Sequence, residues 1–229
     1  MAFGTALTAA TTVSTTAGYH TISLTLGGIS VAQGLISSGK LTVCVMSNEY
    51  DYEGNEPTSG GDFTRIRTYY TESSQDPKMN ILIGGLTSVI AAEGSGNDDD
   101  GYIINGNLDD TVDWATLRGD VDTVGATRND SISNSLNGIY AYHAPGRGSD
   151  IIRDIRRSFF VFDLSVLSGT IAGANIELYL DNWGDTGDAA KIIIVQATDL
   201  AGSTADFGNC FVADAVTVTD NATFFGTNF

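Results

Sequence analysis

Short runs in which apolar and polar residues alternate, closed off by Gly and Asp, recur along this chain and confine it to β architecture. Ile22, Leu24 and Leu26 alternate with Ser23 and Thr25, and Phe160, Phe162 and Leu164 share one strand face while Phe159, Val161 and Asp163 share the other. Ile176, Leu178 and Leu180 point one way, with Glu177 and Tyr179 on a wetter face. Leu41 to Met46 and Lys191 to Ala197 are apolar on nearly every position, the mark of central strands buried on both sides. Strands are also expected over Phe63 to Tyr70, Met79 to Ile83 and Val212 to Thr219. One short helix, Ile29 to Ile36, follows Gly27-Gly28 and would carry the chain across one end of a sandwich. The fold class that follows is an all-β, jelly-roll-like antiparallel sandwich.

Composition agrees: the chain is rich in Thr, Val, Ile and aromatics, its 27 Gly supply turns, and it is poor in Lys and Arg. A chain of 229 residues is long enough to bury roughly 70% of its unfolded surface in one globule. The net charge is −17 and Lys40, Lys78 and Lys191 are the only lysines, which argues against nucleic acid or an anionic membrane as partner. Acidity of this kind gives solubility and suits salty surroundings, where screening relieves self-repulsion. No run reaches the ~20 apolar residues of a membrane span. Met1-Ala2-Phe3-Gly4-Thr5 lacks the features of a signal peptide, although the Thr/Ser/Gly/Asp-rich surface is of an extracellular type. Cys44, set in an apolar strand, is expected as a buried thiol, and Cys210 lies far from it in sequence.

From Leu86 the composition shifts, and Ala91 to Gly101 is acidic and Gly-rich, the best boundary in the chain. The expected division is therefore 1–90, a linker at 91–101, and 102–229. Asn48 to Asp62 reads as an acidic loop, and Asn105 to Asp150 as a polar tract punctuated by Trp114, Leu117 and Tyr140.

Arg157-Ser158-Phe159-Phe160-Val161-Phe162-Asp163-Leu164-Ser165 resembles the early core strand of DNRLRE-type, carbohydrate-binding-module-like jelly-roll domains, which occur in bacterial surface proteins and phage virion proteins. Ser74-Gln75-Asp76-Pro77-Lys78-Met79-Asn80-Ile81-Leu82-Ile83 resembles the last strand of the same domains, so the closing strand precedes the opening one. Asp100-Gly101-Tyr102-Ile103 with Trp114 to Arg118 resembles the family's first strand and loop, and Ala174 to Leu180 a further core strand. Ile193-Val195-Gln196 and Ala205 to Gly208 lead to the edge that Tyr19 to Leu26, Lys40 to Tyr50 and the Asp76-Pro77 strand would complete. The resemblance implies a permuted jelly roll, closed either within one chain or by strands exchanged between subunits, with Ala2 to Ser14 and Val218 to Phe229 as candidate bridging pieces. An incomplete sandwich would expose unpaired backbone groups and apolar rows, which drives completion by a neighbour.

Catalytic signatures do not stand out. His20 reads as a turn residue and His143 as a loop residue, neither in a metal-ligand spacing, and there is no nucleophile elbow, phosphate loop or zinc-type cysteine pair. Carboxylate pairs of the glycosidase kind arise by chance in so acidic a chain, and none is marked out. No cofactor is required. Calcium is the most credible ion: Asp98, Asp99 and Asp100, Asp109, Asp110 and Asp113, and Asp181, Asp185 and Asp188 offer hard oxygen ligands, against the plainer reading of solvated turn acids. Trp183, Tyr50 and Tyr52, with Tyr69 and Tyr70, offer ring faces for sugar C–H groups, whereas Trp114 reads as a core cap. Asn129-Asp130-Ser131 and Asn221-Ala222-Thr223 are glycosylation sequons, meaningful only in a secretory host. The expected role is a non-enzymatic structural subunit of a phage virion surface or appendage, located at the virion surface or outside cells. It would contact copies of itself and other virion proteins. The alternative is an adhesin module binding surface glycans.

Overall fold

The structure, a computed structural model, describes residues 3–13, 16–37, 39–57, 64–68, 75–92, 101–107, 113–119, 127–129, 137–145, 151–182 and 190–197. Over 64–68, 101–107 and 127–129, over 137–145 except at Ile139 and Ala141, and at 119, 151–152, 181–182 and 190, it describes the backbone alone. Their strands are β1 (Thr11–Val13), β2 (Gly18–Ser23), β3 (Lys40–Ser47), β4 (Thr64–Thr68), β5 (Lys78–Ile83) and β6 (Leu86–Ala91) in the first half. The second half contributes β7 (Gly101–Asn107), β8 (Thr127–Asn129), β9 (Asn137–Pro145), β10 (Ile151–Asp163), β11 (Ile171–Asn182) and β12 (Ala190–Ala197). Helices are few: α1 (Leu26–Leu35), α2 (Trp114–Gly119) and a single π-type turn at Asn48–Tyr52.

All strand pairs are antiparallel, and the chain forms the all-β sandwich its alternation predicts. One layer runs β1-β12-β3-β10, with β7 on the far side of β10 and β8 beyond it; the other runs β2-β11-β5-β6. β9 and β4 join them, β9 pairing with β10 and β4 with β11. Strands from the two halves of the sequence interleave: β3 lies between β12 and β10, and β5 pairs with β11 with Ile81 opposite Ala174. These contacts lie within one chain.

The main core fills the space between the layers. Leu41, Val43 and Val45 of β3, Phe160 and Phe162 of β10 and Ile192 and Ile194 of β12 meet Ile22, Met79, Ile81, Ile176, Leu178 and Leu180 from the other layer. Each such fully buried side chain contributes about 1.5–3 kcal/mol of transfer free energy. The opposite faces of β3, β10 and β12 are covered too, because Cys44, Met46, Phe159, Ile193 and Val195 pack with Trp114 and Leu117 of α2 and with Phe3, Ala6, Tyr50 and Tyr52. This second cover explains why β3 is buried at every position from Leu41 to Ser47. Cys44 is buried and Trp114 is a core residue, as expected.

Several local expectations change. The helix begins a turn early, at Leu26, because the Thr25 hydroxyl accepts a hydrogen bond from Gly28 N (3.1 Å) and caps it. Leu26 therefore leaves the strand alternation and is 87% exposed. The N-terminal segment runs beside β12: Leu7 N donates to Ile194 O (2.9 Å) and Gln196 N donates to Thr5 O (2.9 Å). Thr25 N in turn donates to Leu7 O (2.7 Å), so the segment bridges the two layers. Leu86 to Ala91, where the composition begins to shift, forms a strand that the alternation does not mark, because the Gly84-Gly85 turn folds it back onto β5. His20 lies inside β2 and His143 inside β9. The strand expected at Val212 to Thr219, the flexible stretch at 93–100 and Cys210 lie outside the described residues.

Candidate functional site: a buried ionic plug and the faces around it

β10 forks. Ser158 to Asp163 pair with β3, whereas Ile151 to Arg156 pair with β9 along the same edge, which leaves Arg157 at the point of divergence. Alternation puts Arg157 on the face of Ile155 and Phe159, both fully buried, so a guanidinium points into an apolar cluster. A cation there needs a partner in contact.

Asp51 supplies it. Directly after β3 the backbone widens into the π-type turn: Glu53 N donates to Asn48 O (2.8 Å), and the Ser47 hydroxyl accepts from Tyr50 N (3.4 Å). The turn aims the Asp51 carboxylate into the fork, where Arg157 Nε donates to Oδ2 and an Arg157 terminal nitrogen donates to Oδ1, both at 2.7 Å. The side chains are 0% and 1% exposed, and the pairing is the bidentate form in which planarity and charge act together. The same Arg157 nitrogen donates to Arg118 O at the end of α2 (2.8 Å).

Arg118 closes the arrangement from the solvent side. Its Nε donates to Asp51 O (2.6 Å) and a terminal nitrogen donates to Tyr52 O (3.2 Å), while its charge lies 3.9 Å from Asp51 Oδ1. Trp114 Nε1 donates to Tyr50 O (3.1 Å), fastening the other end of α2 to the turn. The Phe3 ring lies 5.7 Å from the Arg157 guanidinium carbon and 5.8 Å from that of Arg118, and stacks on Tyr52 at 5.0 Å. Gly54 sits at φ +86 against the Arg118 guanidinium, where a Cβ would collide. Farther along β10, Arg153 Nε donates to Glu56 Oε1 (2.7 Å). Chemically the plug is a saturated arrangement: the Asp51 carboxylate is held by Arg157, and its hydrogen bonds tie β10, α2, the post-β3 turn and the N-terminus together.

Sequence reasoning passed over these residues, reading 48–62 as an acidic loop. The signal was present, since Arg157 occupies a core position between Ile155 and Phe159 at strand spacing, which obliges a buried acid somewhere else in the chain. Tyr50 and Tyr52, expected as sugar platforms, are half-buried members of this cluster. Trp183, Asp98, Asp99, Asp100, Asp109, Asp110, Asp185 and Asp188 lie outside the described residues, as do Tyr69 and Tyr70. Asp181 belongs to the end of β11, not to a loop. Asp113 caps α2: its Oδ1 accepts from Thr116 N (2.7 Å), and the hydrogen bonds from the Thr116 backbone and hydroxyl hold its carboxyl below the usual range. Among the described residues no three His, Cys, Asp or Glu side chains converge as a metal group, and no helix is long and apolar enough to cross a membrane.

The outer face of the β2-β11-β5-β6 layer is different in character. Tyr19 and Tyr179 stand opposite each other and meet edge to face at 5.4 Å, with Lys78 Nζ 4.8 Å from the Tyr19 centroid. Beside them Asn80 Nδ2 donates to Asn175 Oδ1 (2.9 Å). The fold and these features define an antiparallel β-sandwich with one doubly covered layer and one layer that keeps a wet face. Comparisons with family models, with curated proteins and with solved structures return no match for this chain.

Proposed function

We propose that the chain is a non-enzymatic structural subunit of a virion surface or appendage, such as a decoration protein, head fibre or fibre component, assembling through β-strand contacts. The observation that carries the assembly role is the β5–β6 hairpin. β6 ends its layer among the described residues, and the edge carries no charge although the chain as a whole is at −17. Leu86 and Val89 on it are 75% and 61% exposed. An edge without Lys, Pro or bulge is a template for pairing with another chain. The virion setting is supported by the resemblance of Arg157 to Ser165 and of Ser74 to Ile83 to strands of DNRLRE-type domains. In this role the plug keeps the β10 fork closed, and no cofactor takes part. Light scattering of the full chain across concentration and salt tests the role: self-association is expected, and a strictly monomeric species that also fails to bind virion proteins would refute it.

A second reading, a glycan-binding adhesin module, draws on the outer-face tyrosines, of which Tyr19 is 39% exposed. It requires glycan-array signal that is lost in Tyr19→Ala or Trp183→Ala with folding intact.

A further inference from the structure

We infer that the β6 edge joins two copies of this chain by antiparallel β6–β6 pairing about a two-fold axis centred on Val89. The inference deepens the assembly role proposed above and rests on it, naming the partner as a second copy.

The phase of the hairpin decides which backbone groups the edge offers. Gly84 and Gly85, at φ +59 and +84, form a two-residue turn of the I′ kind between Ile83 and Leu86, which are paired. In such a hairpin the flanking pair exchanges both backbone hydrogen bonds, so Leu86 turns its N–H and C=O toward β5. Ser88 and Ile90 follow by alternation, opposite Ile81 and Met79. Ala92 N donating to Pro77 O (2.9 Å) shows the same phase at the other end of the strand. Thr87, Val89 and Ala91 therefore direct their N–H and C=O groups away from β5, to the side where no described strand lies.

A two-fold axis that pairs antiparallel edges stands perpendicular to the sheet, so residues opposite each other must share a face. Centring the axis on Val89 meets that condition and places Val89 opposite its own copy, Thr87 opposite Ala91 and Ala91 opposite Thr87. Every outward N–H and C=O of the strand then finds a partner, about six hydrogen bonds in all. On the other face Ser88 meets Ile90 of the second copy, and the exposed Leu86 meets Ala92. A partner of different sequence would have to match this spacing, whereas a second copy matches it by symmetry. Charge points the same way: Leu86-Thr87-Ser88-Val89-Ile90-Ala91 is uncharged, so the contact itself sets no like charges opposite each other. The repulsion between copies at −17 each is long-range and screenable. Association should therefore strengthen with salt.

Sedimentation of the full chain from low salt to about 1 M, where the Debye length is near 3 Å, provides the test. Dimer is expected to grow with salt, with slowed amide exchange at Thr87, Val89 and Ala91. Val89→Pro removes only an outward N–H, which an edge strand tolerates, and should weaken the dimer about a hundredfold. Val89→Lys should do the same even though it lowers the repulsion between copies. Association that is unchanged in both variants overturns the β6 contact and leaves the assembly role standing. A monomer with slow exchange at those amides overturns it by showing the edge covered by the chain's own residues. A monomer at every salt with fast exchange overturns it together with self-assembly.

Discussion

Removing one partner of the Arg157–Asp51 pair should be among the most damaging single changes this fold can suffer. In Arg157→Met the Asp51 carboxylate, 1% exposed, loses both 2.7 Å donors and retains a guanidinium only at 3.9 Å, one already committed to backbone carbonyls. In Asp51→Leu the Arg157 cation, 0% exposed, keeps the Arg118 carbonyl as its acceptor from the plug. Leaving a buried charge without its partner costs about 3–5 kcal/mol. In a chain of this length 1 kcal/mol moves the melting temperature by about 2–4 °C, so each single variant should melt about 6–20 °C lower. The double variant Arg157→Met/Asp51→Leu buries no charge in the fork and should recover most of the loss, falling short of the sum of the two singles by at least about 3 kcal/mol. Urea unfolding followed by circular dichroism gives the energies. Arg157→Lys separates geometry from charge, because a single ammonium cannot reproduce the forked contact and should lie between wild type and Arg157→Met. The reasoning fails if each single variant costs less than about 1 kcal/mol, the range of an exposed pair. It fails equally if the double variant equals the sum of the singles within about 0.5 kcal/mol.

Three further outcomes are expected. Gly28→Ala drives a Cβ into the Leu7 backbone, where the N-terminal segment crosses α1, and should cost about 1–3 kcal/mol in urea unfolding; wild-type stability would mean the segment is not seated there. Burial raises the Asp154 carboxyl pKa, with Arg156 partly offsetting it, so the folded state holds this proton more tightly than the unfolded chain and stability is lost as pH rises from the unfolded pKa through the folded one. Asp154→Asn should therefore stabilise the protein at neutral pH and have little effect below the usual carboxylate range; a stabilisation that persists at low pH would point to another cause. Phe160 and Ile81 lie in one core cluster, so mixed isotopically labelled pools should show their contact within a chain, and a contact seen only between chains would establish strand exchange.

Most of the layer structure was legible because strand alternation is a local signal with a global consequence. The Phe160, Phe162, Leu164 face and the Ile176, Leu178, Leu180 face can be read from neighbours two residues apart, and both faces lie in the main core. Leu41 to Met46 was legible as central because apolar residues on both faces need cover on both sides. What stayed hidden depended on tertiary context. The extension of strand structure through Leu86 to Ala91 turns on a glycine pair that also suits a linker. The Asn48–Tyr52 turn has the acidity of a loop, and only the cation at position 157 of β10 makes it a buried element. Tyr50 and Tyr52 look like exposed rings until Phe3 and α2 close over them.

The plug and the β6 edge belong to one division of labour between the layers. β3, β10 and β12 bury much of both faces, so a buried charge among them must be satisfied internally, and Asp51 does this for Arg157 where β10 passes from β9 to β3 along one edge. β2, β11, β5 and β6 bury one face, and among the described residues β6 ends that layer, with outward backbone groups at Thr87, Val89 and Ala91. A change at the plug should consequently be felt as stability, in an assay of the isolated chain. A change at Val89 should be felt as association, with melting of the dilute chain nearly unchanged. The two kinds of variant can therefore be separated by whether their effect depends on protein concentration. Arg157→Met should lower the melting temperature at any concentration, whereas Val89→Lys should lower it only where the wild-type chain is dimeric.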